Sequence, residues 1–206
     1  MNDTEKLLRL QTMVLCDQSP DFSKVEPMYL VGETSDNEDS VFDRPERDGF
    51  YPVWITAGET TGYPGAQSWL DAIVNRYHIA RHRVHLIPMD EPLNTKTEME
   101  ALVRYTQRER QHMLRLVAAP FHQLRSFLTI LGAMKRLSAM TLKVYNLPGV
   151  ALPWQAEALH SQGVLRATRE DLIGTELERI ARYTAQGDLA PVDEALAYLR
   201  QRSPAR

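Results

Sequence analysis

A histidine and an arginine stand three residues apart where an apolar run gives way to a long amphipathic segment. His122 and Arg125 follow Met113–Val117, which reads as a buried strand, and fall in a helix predicted over 120–137. Residues three apart share a helix face, so we expect the imidazole and the guanidinium to lie side by side on its first turn. Arginine holds a phosphate or carboxylate through two hydrogen bonds, and histidine donates or transfers a proton. The pattern therefore predicts a site for an anionic ligand.

Further candidates for this site follow the other apolar runs. They are Gly32 and Glu33 after the first predicted strand, Gly58 and Glu59 after the second, and Asp90, Glu91, Asn94, Thr95 and Glu98 after the third. Glycines let a ligand approach the backbone, and helix N-termini offer N–H groups to an anion. We predict catalytic roles for His122, Asp90 and Glu59, and ligand contacts for Glu59, His122, Arg125 and the rest of the set. Alternatively, Thr95 forms a capping box with Glu98, and Asp90 and Glu91 only complement a helix dipole.

The elements that must position these residues alternate between strand and helix. Strands are predicted at 28–31, 51–56, 84–87, 113–117 and 141–145, and helices at 65–77, 95–108 and 120–137. The third and fourth strands are continuous apolar runs, which is typical of a parallel sheet covered on both faces. The sequence thus predicts an α/β fold, a three-layer Rossmann-like sandwich with a mainly parallel five-stranded sheet. The loops leaving its strands meet at one edge, where ligands bind in such folds.

The segments that flank the core are predicted to be helical, within a single domain over 1–206. Residues 1–26 hold a helix over 4–15 and a loop, and 27–150 form the α/β core. Strand signals cease in 151–206, which we predict to be a helical extension with helices over 168–184 and 191–202. These helices either pack on the sheet or form the face of a homodimer. The acidic stretch 35–49 predicts a solvated connection or, alternatively, a lid.

Composition excludes several classes of protein. A net charge of −3 over 206 residues argues against general affinity for nucleic acid. The single cysteine, Cys16, excludes an internal disulfide and favours a reducing compartment. The N-terminal stretch lacks the features of a signal peptide, and no run approaches the roughly 18 apolar residues of a membrane span. We expect a cytoplasmic protein that does not contact a membrane. The histidines at 78, 82 and 85 fall on different elements, so we predict no metal site.

Four motifs within 27–149 resemble those of the YdcF/SanA/ElyC-like family, also called domain of unknown function 218. Leu30-Val31-Gly32-Glu33 resembles its Leu-Gly-Gly, and Ala57-Gly58-Glu59 its Ser-Gly-Gly. Asp90 or Glu91 before Asn94-Thr95 resembles its third motif, with Thr97-Glu98 where Glu-Asn is usual. His122 and Arg125 match its fourth motif, with Ala118-Ala119 in place of Thr-Ser. The chain therefore resembles a divergent member.

The resemblance implies a Rossmann-like three-layer fold without a settled activity. Some members of the family are membrane-anchored and linked to cell-envelope polysaccharide or peptidoglycan metabolism, and at least one soluble member is reported to bind S-adenosylmethionine. We predict a small anionic ligand, namely a nucleotide, S-adenosylmethionine or a phosphorylated sugar. Catalysis is left open; hydrolysis or transfer at a phosphoryl or glycosyl group suits the candidate residues better than redox chemistry. The alternative is a non-catalytic module that senses a metabolite or acts as a scaffold through its C-terminal helices.

Overall fold

The computed structural model describes residues 2–18, 26–44, 51–58, 63, 65–160 and 163–202. Over these residues the helices are α1 (Asp3–Leu15), α2 (Glu38–Phe42), α3 (Ala66–Asn75), α4 (Thr95–Arg108), α5 (Gln123–Arg136), α6 (Arg169–Ala185) and α7 (Val192–Arg202). The strands are β1 (Met28–Leu30), β2 (Val53–Thr56), β3 (Val84–Ile87), β4 (Met113–Val117), β5 (Lys143–Asn146), β6 (Glu157–His160) and β7 (Leu165–Thr168). A short 3₁₀ turn, Arg81–Arg83, precedes β3.

Strands β1 to β5 form one parallel sheet in the order β3-β2-β1-β4-β5. Strand β1 lies at its centre, with Tyr29 opposite Trp54 of β2 and Leu116 of β4. Consecutive strand residues enter opposite layers: Tyr29 packs with α4 and α5, whereas Met28 and Leu30 pack with α2 and α3. Both faces of the strands at the centre of the sheet are therefore covered, and every residue of β1 and β2 is buried. The predicted three-layer Rossmann-like sandwich is confirmed.

The prediction that strands cease after Gly149 is wrong. Strands β6 and β7 form an antiparallel hairpin in which His160 pairs with Leu165. The hairpin is tied to the segment after β1, because Thr34 Oγ1 donates to the Leu159 carbonyl at 2.6 Å and Asp36 accepts from the Leu159 N–H at 2.8 Å. Each strand, Glu-Ala-Leu-His and Leu-Arg-Ala-Thr, has only two apolar residues, so neither forms the apolar run that indicated the other strands.

The described part of the acidic stretch is not a solvated connection. It forms the short helix α2, where Val41 and Phe42 are buried and the Phe42 ring meets Trp69 and Tyr77 edge-on. On the polar side, Asp39 is paired with Arg76 at 2.6 Å. Apolar residues within the stretch therefore decided its packing, and the part at 45–49 lies outside the described residues.

The start of one helix and the cap of another differ from those predicted. Helix α5 begins at Gln123 rather than at residue 120, with His122 as its N-cap. The Gln123 side chain fixes this start, because its Oε1 accepts from the Ala118 N–H at 2.8 Å and its Nε2 donates to the Leu116 carbonyl. The capping box of α4 pairs Asn94 with Thr97, not Thr95 with Glu98.

Among the described residues, none of the helices combines the length and the apolar character that a membrane crossing requires.

Candidate functional site

The candidate site lies where the order of the sheet reverses. Strand β1 connects towards β2 on one side and neighbours β4 on the other, which leaves a crevice at the carboxyl ends of β1 and β4. The segment after β1 carries Glu33, and the segment after β4 carries His122 and Arg125. All three side chains are buried. The fold therefore brings the sequence-predicted residues of these two loops to the same place.

A carboxylate from helix α6 joins His122 and Arg125. Glu176 Oε2 accepts from His122 Nδ1 at 2.8 Å and from Arg125 Nε at 2.6 Å. Its Oε1 accepts from His160 Nε2 at 2.9 Å and from Arg179 at 3.1 Å. We call these five residues the Glu176 cluster. Its four donors satisfy both carboxylate oxygens, which is the condition for burying a charge at moderate cost.

The protonation of the cluster follows from burial and from its arginines. Burial and, to a smaller extent, the Arg125 charge lower the pKa of His122 to about 3 against the opposing effect of Glu176. Burial likewise lowers the pKa of His160. Burial alone would raise the pKa of Glu176, but Arg125 and the bonds from the histidines hold it well below its usual range. At neutral pH the cluster therefore contains a carboxylate, neutral imidazoles and guanidinium groups.

A second buried acid lies beside β1. Glu98, in the first turn of α4, accepts from the Tyr29 hydroxyl and from the Gly32 N–H, both at 2.7 Å. Burial raises its pKa to about 7, although these two bonds and Arg125 oppose the shift. Glu98 was chosen from the sequence as a ligand contact; in the structure it fixes the exit of β1.

Glu33 is a third buried acid, with one oxygen unpaired. Its side chain is 1% exposed, and its Oε1 has no hydrogen-bond partner. Burial raises its pKa well above the usual range, and Glu98 and Glu176 raise it further, while the Ala119 backbone N–H and Arg125 act in the opposite direction. An unpaired buried carboxyl costs stability and marks a candidate functional position.

A cavity of about 470 Å³ opens between the first turn of α4 and helix α6. Its described lining comprises Tyr63, Asn94, Thr95, Lys96, Arg125, Thr129, His160, Val164, Arg179, Arg182, Tyr183, Asp188 and Leu189. The Thr95 hydroxyl accepts from Arg125 at 3.0 Å, which joins the helix start to the Glu176 cluster. Lys96 pairs with Asp188 at 2.7 Å, and Arg182 bonds the Tyr183 hydroxyl.

Other predicted site residues lie elsewhere or have different neighbours. Asp90 and Glu91 are exposed and line a separate cavity of about 240 Å³ beside later turns of α4. A Cβ at Gly32 would come within 2.7 Å of the Trp69 indole, and a Cβ at Gly58 within 2.8 Å of Met89 Sδ. Internal packing therefore fills the space at these glycines. Glu59 lies outside the described residues.

Sequence reasoning missed the half of the site that α6 and the β6–β7 hairpin supply. Glu176 is 54 residues from His122, and no local pattern joins them. One signal was available: Glu176 falls on the apolar face of α6, four residues after the buried Leu172 and four before the buried Ile180. A carboxylate at such a position needs a buried partner.

Three side chains of the cluster also have the chemistry of metal ligands. One ligand atom each from His122, His160 and Glu176 lies within 4.8 Å of the others. None of the three belongs to the histidine group 78, 82 and 85 weighed from the sequence. Imidazole and carboxylate are the nitrogen and oxygen ligands of zinc-class ions.

Comparison with known proteins adds no family to this geometry. No family model matches the chain, and a search of curated proteins finds no match. The resemblance to the YdcF/SanA/ElyC-like family stays a prediction from the sequence motifs.

Proposed function

We propose that the cavity between α4 and α6 binds a small anionic molecule. The observation that carries the proposal is the charge around the cavity. Four cationic side chains, Lys96, Arg125, Arg179 and Arg182, line it. Two carboxylates, Asp188 and Glu176, pair with three of these cations, and Arg182 bonds the neutral Tyr183 hydroxyl. The described residues thus leave a surplus of positive charge, which an anion would balance.

The start of α4 supports the same proposal. Asn94, Thr95 and Lys96 place the N-terminus of this 14-residue helix against the cavity, where its partial positive charge favours an anion. The Thr95 hydroxyl accepts from Arg125 and keeps its own hydrogen to donate. A phosphate or carboxylate seated here would have a helix end on one side and guanidinium groups on the other.

The size and the remaining lining narrow the ligand class. A volume of about 470 Å³ lies in the range of pockets that hold small organic ligands. Tyr63, Tyr183 and Leu189 offer nonpolar contact area beside the cations. A nucleotide, S-adenosylmethionine or a phosphorylated sugar combines an anionic group with such a body. In this proposal His122 contributes by bonding Glu176, which also holds Arg125. Hydrolysis or transfer by the protein remains a prediction from the sequence, as does its cytoplasmic location.

The test uses Arg182, because its removal leaves the Glu176 cluster intact. Titration calorimetry of the full chain with inorganic phosphate, adenosine monophosphate and S-adenosylmethionine measures binding to wild type, Arg182→Ala and Arg166→Ala. Arg166 is exposed on β7 and serves as the matched control. We expect at least one of these anions to bind wild type and the control alike, and to bind Arg182→Ala about 5- to 10-fold more weakly. Absence of binding of all three, or equal binding to both variants, contradicts the proposal.

The alternative, a non-catalytic module that acts through its C-terminal helices, also has one observation in its favour. An apolar cavity of about 380 Å³ lies between α1 and α6, where Leu8, Ile173 and Leu177 are exposed. Exposed apolar patches of this kind often mark interaction sites. Under this alternative, substitutions at Leu177 weaken the interaction that the C-terminal helices make with a partner, whereas Arg182→Ala does not.

A further inference from the structure

Two histidines and a glutamate from three different elements converge in the Glu176 cluster. His122 caps α5, His160 ends β6 and Glu176 lies in the middle of α6. His122 Nδ1 and His160 Nε2 lie 2.8 and 2.9 Å from the two carboxylate oxygens. The imidazole rings are 5.4 Å apart between centroids, and all three side chains are buried. Two ligand atoms that share an ion with bonds of about 2.0–2.2 Å lie roughly 3–3.5 Å apart. The two nitrogen–oxygen separations are close to this range, and the ligand atoms of all three residues lie within 4.8 Å of one another.

We propose that His122 Nδ1, His160 Nε2 and the Glu176 carboxylate form a binding site for one divalent ion of the zinc class. The ion would lie between the carboxylate and the two rings and replace the two hydrogen bonds that now join them. Each imidazole would turn a lone pair towards the ion and carry its proton on the other ring nitrogen. The proposal does not rest on anion binding in the cavity.

The ion would have a route to solvent and room for a further ligand. His160 lines the cavity between α4 and α6, so one side of the site faces that space. Three protein ligands with an open position are the arrangement of catalytic zinc sites, whereas structural sites use four protein ligands. A water or a ligand oxygen from the cavity would complete the coordination.

The arginines of the cluster are compatible with this assignment as outer partners of the carboxylate. Arg125 bonds Oε2 and Arg179 bonds Oε1, so each oxygen keeps one guanidinium bond when its histidine bond is replaced. Such second-layer bonds orient metal-bound carboxylates in many proteins. Burial raises the pKa of the nearby acids Glu33 and Glu98, whereas the pKa of Glu176 is well below its usual range. Glu176 is therefore the ligand that brings negative charge to the ion, and the two histidines bind it as neutral imidazoles.

The experiment measures zinc binding by the full chain after treatment with a chelator. Titration calorimetry with Zn²⁺ alone compares wild type with His160→Gln and Glu176→Gln, whose side-chain amides retain hydrogen-bonding capacity. His85→Gln is the matched control, because His85 is an exposed histidine on β3. Circular dichroism and thermal unfolding of each metal-free protein establish that the variants are folded.

We expect one Zn²⁺ per chain, with micromolar or tighter affinity in wild type and His85→Gln. Affinity should fall at least 100-fold in His160→Gln and Glu176→Gln. The proposal is overturned if wild type does not bind Zn²⁺. It is also overturned if His160→Gln binds Zn²⁺ as tightly as wild type does, because the ion would then lie at other histidines. If both cluster variants are unfolded, Co²⁺ bound to wild type decides the question: absorption bands of low-coordinate cobalt support the site, and the spectrum of hexa-aqua cobalt overturns it. Anion binding by chelator-treated protein is measured separately, so the two proposals can fail independently.

Discussion

Helix α6 separates two cavities of opposite character. On one side, Arg179, Arg182 and Tyr183 face a cavity with surplus positive charge. On the other side, Ile173 and Leu177 face an apolar cavity shared with α1. Because an α-helix has 3.6 residues per turn, residues only a few positions apart lie on opposite sides of it and in these two environments.

The difference shows how the helix is attached to the rest of the protein. Its inward stripe combines Leu172 and Ile180 with Glu176, which accepts bonds from α5, from β6 and from its own helix. The apolar side is half exposed, with Leu177 at 45%. We infer that the Glu176 cluster, rather than the apolar side, fixes α6 against the site. The predictions that follow test this contrast.

The largest expected effect is on stability in Glu176→Ala. The substitution leaves Arg125 and the two histidines buried without their acceptor, and breaking a buried ion pair in this way costs about 3–5 kcal/mol. Urea denaturation of wild type and variant measures the loss. A loss below about 1 kcal/mol would show that the cluster does not fix the helix.

A smaller change in stability, one that depends on pH, is expected in Glu98→Gln. Burial raises the pKa of Glu98 from 4.5 to about 7, so its contribution to stability is full below pH 4.5 and is lost as pH rises through 7. Glutamine keeps a carbonyl to accept from Tyr29 and Gly32 but carries no charge. We expect the unfolding free energy of the variant, relative to wild type, to increase by about 3 kcal/mol between pH 4 and pH 8. A difference independent of pH would contradict the shifted pKa.

The smallest effect is expected on the apolar side. Leu177→Ala removes a half-exposed side chain one position after Glu176, and such surface substitutions change stability by about 0.5 kcal/mol or less. Anion affinity should stay unchanged, because Leu177 does not line the cationic cavity. A loss of stability as large as that of Glu176→Ala would show that the apolar side fixes α6 as much as the Glu176 cluster does.

The sequence predicted the core of the fold better than it predicted the site. The apolar runs at β3 and β4 correctly indicated a parallel sheet, although β3 lies at its edge and leaves His85 exposed. The spacing of His122 and Arg125 correctly brought these two residues together. No local sequence pattern could place Glu176 and His160 beside these two residues, because their contacts join segments that are far apart in the sequence. The β6–β7 hairpin was missed because neither of its strands contains a run of apolar residues.

One residue type can serve two purposes, and the sequence alone does not decide between them. Gly32 permits a close backbone approach, but the group that approaches is the Trp69 indole. The acids of 35–49 indicate solvent, yet Val41 and Phe42 within the stretch are buried and anchor α2. Only the packing of neighbouring elements decides between such alternatives.

The most direct test of the central claim is a heteronuclear NMR titration of the full chain with inorganic phosphate. If the cavity between α4 and α6 binds anions, the backbone amides of Thr95 and Lys96 and the side-chain Nε–H of Arg182 should shift together and saturate with one affinity. Shifts that do not saturate, or that concentrate around Leu8 and Leu177 on the other side of α6, would contradict the account.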